Sequence, residues 1–130
     1  MLNTKTGVIL QLSKSQCEFI LGAKFCVLAT CAGNQPRACI VIPERADGDK
    51  VIFADCQMHK TKTNILNNEK VFVSFYDDEL DYCMKCDGVA KYIPEGALLE
   101  QIKSKLSRQG WSVAGLVEVT IKTVYEHKEN

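Results

Sequence analysis

The sequence contains no run approaching the roughly 20 apolar residues that a membrane-crossing helix needs, and its opening Met1-Leu2-Asn3-Thr4-Lys5 lacks the apolar stretch of a signal peptide. A cytoplasmic protein is therefore expected, with no membrane partner. A surplus of either charge is also missing, since 16 Lys and Arg balance 16 Asp and Glu. No overall field gathers nucleic acid or an anionic surface, so any anion site has to be local. No Gly-x-Gly-x-x-Gly links a strand to a helix and no Gly-Lys-Ser/Thr loop occurs, which argues against a Rossmann fold and against a nucleoside triphosphate loop. The seven cysteines (Cys17, Cys26, Cys31, Cys39, Cys56, Cys83 and Cys86) are odd in number and irregularly spaced, so no disulfide framework is expected. In a reducing compartment they serve as small apolar residues.

What is present suits one globular domain spanning 1–130: hydrophobic residues make up 46% and charged residues 25%. Ser13 and Ser15 are candidate N-caps for a helix from Gln16 to Leu21, with Gly22 as its stop. Apolar runs from Lys24 to Cys31 and from Arg37 to Ile42 flank the turn-forming stretch Ala32-Gly33-Asn34-Gln35-Pro36 and read as paired strands. Ala46-Asp47-Gly48-Asp49 is a second turn, followed by a strand from Lys50 to Ala54. His59 to Asn68 has helical character, and Val71 to Tyr76 alternates as a strand with Val71, Val73 and Phe75 on one face. Tyr82 to Tyr92 is a strand whose Gly88 suits a bulge. Leu98, Leu99, Ile102 and Leu106 repeat at helical spacing between Pro94 and Gly110, and a closing strand from Ala114 to Tyr125 sets Val117, Val119, Ile121 and Thr123 on one face. About six strands with short helices among them predict an α+β, mainly β fold built on a curved antiparallel sheet or small barrel.

The stretch Asp55-Cys56-Gln57-Met58-His59-Lys60-Thr61-Lys62-Thr63-Asn64 leaves a strand and opens a helix. Free amides at a helix start carry partial positive charge, Lys60 and Lys62 add full charges, and Thr61 and Thr63 add hydroxyls, so the segment can hold a phosphate. The plainer alternative is a solvated helix start with two ordinary lysines. Met58-His59-Lys60-Thr61, followed by Asn64-Ile65 and Glu69-Lys70-Val71, resembles the phosphate-binding segment of the pyridoxamine 5′-phosphate oxidase-like, FMN-binding split-barrel superfamily, in its small bacterial FMN-binding members. Phe25-Cys26-Val27-Leu28-Ala29-Thr30, a turn ending at Pro36, and the strand from Arg37 to Ile42 resemble that family's first hairpin, and the likeness runs from about residue 15 to about residue 125.

The resemblance implies a six-stranded antiparallel split β-barrel and FMN held in a cleft between the subunits of a homodimer. Met58, His59, Lys60 and Thr61 would then cradle the phosphate, with Asn64 beside them, and the backbone of Ile40-Val41-Ile42 would border the isoalloxazine ring. The chain departs from the family's oxidases in two places. Cys39 stands where they carry a strand arginine, for which Arg37, two residues away on the same face, is a candidate substitute. Met58-His59-Lys60 stands where they carry Ser-Arg-Lys. Their Arg-rich closing segment is also not found in Val124 to Asn130, so pyridoxamine phosphate oxidation is not expected.

The resemblance implies a flavoprotein in which FMN carries the chemistry and no side chain need be catalytic, either an oxidoreductase for a small oxidised molecule or an electron carrier with a protein partner. A competing reading keeps the barrel as a non-enzymatic module that binds haem or a phosphorylated metabolite in the same cleft, and Cys39 in place of arginine motivates it. Trp111 is a candidate cover for the flavin or the dimer seam, or a core residue. Cys83 and Cys86 form a close pair, but no second pair completes a metal site, and on a strand residues three apart face opposite sides. His127 is expected in a frayed tail beyond the last strand.

Overall fold

The computed structural model describes residues 2–8 and 11–129. The elements run β1 (Leu2–Val8), α1 (Lys14–Gly22), β2 (Phe25–Ala32), β3 (Gln35–Ile40), β4 (Pro43–Asp47), β5 (Lys50–Asp55), α2 (His59–Asn67), β6 (Lys70–Asp77), β7 (Tyr82–Ile93), α3 (Ala97–Ser107) and β8 (Gly115–Glu129). All the strand pairings are antiparallel, in the order β3-β2-β6-β7-β8-β5-β4, with β1 also on β8. The outermost strands β3 and β4 are successive in the chain, with only Val41 and Ile42 between them. Three residue steps span at most about 11 Å, so the sheet has to curl until its two edges face each other. The result is the expected split barrel.

Alternation places the core. Leu28 of β2, Val73 and Phe75 of β6, Met84 and Cys86 of β7, Val117 and Val119 of β8, and Val51 and Phe53 of β5 are fully buried inside the barrel. Residues between them, such as Val27, Ser74 and Lys85, face outward. A smaller cluster lies outside the barrel wall, where Leu99, Ile102 and Leu106 of α3 pack on Ile52 and Leu116. Sites on both faces explain why β5 and the start of β8 read as continuous apolar runs. α1 begins with a capping box in which the Ser13 hydroxyl accepts from the Gln16 amide and the Gln16 side chain accepts from the Ser13 amide.

The structure adds two strands to the sequence reading. β4 was not foreseen because Pro43 and Glu44-Arg45 resemble a loop; Pro is tolerated there because β4 is a sheet edge. β1 is polar and carries Gly7, and its pairing comes from the far end of β8, which extends past Tyr125 to Glu129 and takes in the His127 backbone. The bulge foreseen at Gly88 is present. The β7–β8 register jumps from Asp87↔Thr123 to Gly88↔Ile121, so Lys122 is the extra residue. That jump reverses the facing of β8: Val124 turns inward and Thr123 outward, which corrects the grouping of Thr123 with Val117, Val119 and Ile121. At Gly88 a Cβ would stand 2.7 Å from Val119 Cγ1 and 2.8 Å from the Thr120 carbonyl oxygen, so the two strands approach too closely for any other residue. Among the described residues no helix is long and apolar enough to cross a membrane.

Candidate functional site

The barrel's split is where β3 gives way to β4, and a cleft of about 260 Å³ opens beside it. Its lining combines Cys39, Ile40, Val41 and Ile42 with Cys56 and Met58 from the β5–α2 turn and Leu106 and Trp111 from α3 and its exit. Ile40, Ile42 and Trp111 are 79%, 70% and 55% exposed, a concentration of uncovered apolar surface. Val41 behaves differently: it is buried, and its amide donates to the Cys26 carbonyl at 3.0 Å, continuing the β2 pairing one residue past β3. Trp111 is therefore a cleft residue and not a core one. Glu44 also lines the cleft and accepts from Lys105 Nζ at 3.2 Å.

The second half of the site is the start of α2. Met58 occupies the N-cap position with no side-chain cap, and the first intrahelical bond is Lys62 N–H to the Met58 carbonyl at 2.7 Å. The amides of residues 59–61 thus have no partner within the helix, and they carry its positive dipole end. His59 and Lys60 are exposed on this first turn. Thr61 is buried beneath it, and its hydroxyl donates to Cys39 Sγ at 3.5 Å. Asn64 Nδ2 donates to the Thr30 hydroxyl at 3.1 Å, fastening α2 to β2. The other candidates for anion contacts are turned elsewhere: the Thr63 hydroxyl donates to the His59 carbonyl, and Lys62 Nζ lies 4.6 Å from the centre of the Tyr92 ring.

Ile40, Val41, Ile42, Met58 and Trp111 thus share one cleft, whereas His59, Lys60, Thr61, Asn64 and Arg37 lie outside its lining. Arg37 is exposed on β3 opposite Thr30, on the same face as Cys39, which stands opposite Leu28. Met58 joins the two halves, being both cleft wall and N-cap.

Two residues organise this junction: Asp55, which opens the segment singled out in the sequence but was given no role there, and Tyr92, which was not singled out. Asp55, only 4% exposed, accepts from the Met58 amide at 2.7 Å on one oxygen and from the Tyr92 hydroxyl at 2.6 Å on the other. An Asp three residues before an amide that it can bind is a recognisable turn signal, whereas Tyr92 lies 37 residues away and gives none. Burial and the Asp55 bond push the Tyr92 hydroxyl well above its ordinary range, so it remains a donor. Burial, then Asp55 and Glu44, raise the Cys56 thiol, which keeps it neutral and weakly nucleophilic. Of the other close pair, Cys86 is buried in the barrel while Cys83 faces outward toward Ser74, as their spacing on a strand requires.

Residues 12–128 match the family model described as Pyridoxamine 5'-phosphate oxidase. The chain belongs to that family. Among solved structures it is similar to HupZ from Group A Streptococcus, at 19% identity and a TM-score of 0.75, with 85% of this chain and 90% of that one covered. An FMN-binding protein from Syntrophomonas wolfei subsp. wolfei shares 16% identity at a TM-score of 0.71, covering 83% and 81%. A FAD-binding protein from Mesorhizobium loti shares 14% at 0.67, covering 97% and 99%. At such identities these likenesses speak for the fold. No curated protein matches.

Proposed function

We infer that the chain, as one split-barrel domain over residues 1–130, is an FMN-binding flavoprotein that works as a homodimer in the cytoplasm. The observation that carries this reading is the meeting at Met58 of two unlike surfaces, an uncapped helix start and an exposed apolar cleft. FMN has the same two parts, a terminal phosphate and a flat ring system. The amides of residues 59–61 with Lys60 and His59 bind the phosphate, supported by Arg37 from β3 and by Thr61 and Asn64 holding α2 in place. The ring lies against Ile40-Val41-Ile42 and Trp111; β3 is a sheet edge, so part of its backbone is available to the ring's polar rim. The FMN-binding and FAD-binding relatives of the same fold support a flavin, and the end-on helix start suits the terminal phosphate of FMN.

Homodimerisation covers what one chain leaves open. Phe25 and Ile40 share the outer face of β2 and β3 through Val27, and both are exposed. A second copy on this face would close the cleft and exclude water from the ring. Bound FMN supplies one- or two-electron transfer. The chain's own part is binding, orientation and shielding: Glu44 is engaged by Lys105 and the Cys56 thiol is held neutral, so neither is assigned proton transfer. This favours an oxidoreductase for a small oxidised molecule, or an electron carrier.

Trp111 is the single tryptophan, which makes its fluorescence a site-specific reporter. Titration with FMN should quench it saturably. Emission that stays constant while excess FMN is added would sink the assignment.

A further inference from the structure

We propose that Asp55 and Tyr92 are positioning residues for anion binding: the buried Asp55 carboxylate, held by the Tyr92 hydroxyl, fixes the Met58 amide and so aims the free amides of residues 59–61. The inference rests on the phosphate site read at α2 and assigns to these two residues a role that neither cleft nor helix start reveals.

A carboxylate next to an anion site is electrostatically unfavourable, so its presence there calls for a geometric reason. Asp55 ends β5, where it pairs with Gly115 and its carbonyl accepts from the Ala114 amide at 2.8 Å, so its backbone is fixed by the sheet. Its side chain is fixed by Tyr92 on β7. Tyr92 reaches it by passing over Gly115, where a Cβ would collide with the phenol. Asp55 therefore transmits the position of three strands to the Met58 amide, the last amide before the unpartnered ones. The Met58 side chain makes no cap hydrogen bond, so the Asp55 contact is the side-chain bond that fixes the turn. Lys62, lying over the Tyr92 ring, adds a contact from α2 back to the same phenol. The two hydrogen bonds to the carboxylate also draw its charge toward β7 and the turn, reducing its repulsion of an anion.

The test uses the full chain, titrated with FMN and with riboflavin, which lacks the phosphate, with Trp111 emission as readout. The quantity compared is the preference, the riboflavin Kd divided by the FMN Kd. Asp55→Ala should lower the preference about tenfold or more while riboflavin binding holds, the size expected for a buried hydrogen bond left without its partner. Tyr92→Phe, which keeps the ring and removes only the hydroxyl, should lower it about threefold. Asp55→Asn should keep at least the original preference, because its carbonyl still accepts from Met58 and the charge is gone. An unchanged preference in Tyr92→Phe and Asp55→Ala overturns the proposal. So does an equal loss of riboflavin and FMN binding, which would give the pair a purely structural role, or an Asp55→Asn variant as impaired as Asp55→Ala. Should Asp55→Ala fail to fold, Tyr92→Phe and Asp55→Asn decide. The unmutated chain separates the two levels of argument: no preference for FMN over riboflavin there refutes the phosphate site itself, before any variant is made.

Discussion

Reversing the charge at Lys60 should weaken FMN binding by about 2–4 kcal/mol, or about 30-fold to about 1,000-fold, and leave riboflavin binding unaffected. Lys60 is the second residue of α2, exposed, and without a hydrogen bond or ion pair among the described residues. Its replacement therefore removes nothing from the fold. Near a protein surface two unit charges a few ångström apart interact by about 1–4 kcal/mol, and the exposure of Lys60 puts it toward the lower end. Lys60→Glu changes the sign as well as removing the attraction, which roughly doubles the effect. The loss should shrink as salt rises, since exposed charges are screened over about 10 Å at 0.1 M. Equilibrium titration of both flavins at two ionic strengths measures all of this. Unchanged FMN affinity, or a loss shared equally by riboflavin, would refute the placement of the phosphate on this turn.

Gly88→Ala should destabilise the fold by about 1–3 kcal/mol, because the new methyl group meets the Thr120 carbonyl and strand backbone cannot swing aside; an unshifted denaturation midpoint would contradict the close approach of β7 and β8. Ile40→Asp alters a side chain that is 79% exposed in one chain, so monomer stability should hold while light scattering reports a fall from dimer to monomer mass; a retained dimer would exclude this face. Cys26 and Cys86 are buried with thiols pushed upward by desolvation, Cys86 to about 12, so at pH 7 both are neutral and should escape alkylation until the chain unfolds. Modification of either in the native protein would refute the barrel core.

Elements with strong local signals were legible in the sequence. β6 alternates cleanly because one face is core, α3 shows its stripe because it packs on a single side, and Gly88 marked its bulge because only a strand that approaches another so closely needs a bare backbone there. Elements defined by their partners were not. β4 gains its strand character from β5, and β1 from the end of β8. The site divides the same way. Met58 to Thr61 could be read as a helix start because that signal is local, whereas Ile40 to Ile42 were singled out through the family resemblance alone. Asp55 and Tyr92 meet only after β5 and β7 are brought together across β8. Thr61 was legible as a residue of the anion segment, but its hydroxyl is directed at Cys39, a contact between positions 22 residues apart that spacing cannot disclose.

The most direct test of the central claim is chromatography of the purified protein, mixed with excess FMN, on a sizing column calibrated for 14.5 kDa chains and their dimers, with absorbance followed at flavin wavelengths. The account predicts that flavin absorbance leaves the column with the protein at dimer mass. Protein free of flavin absorbance at every FMN concentration tried would contradict it.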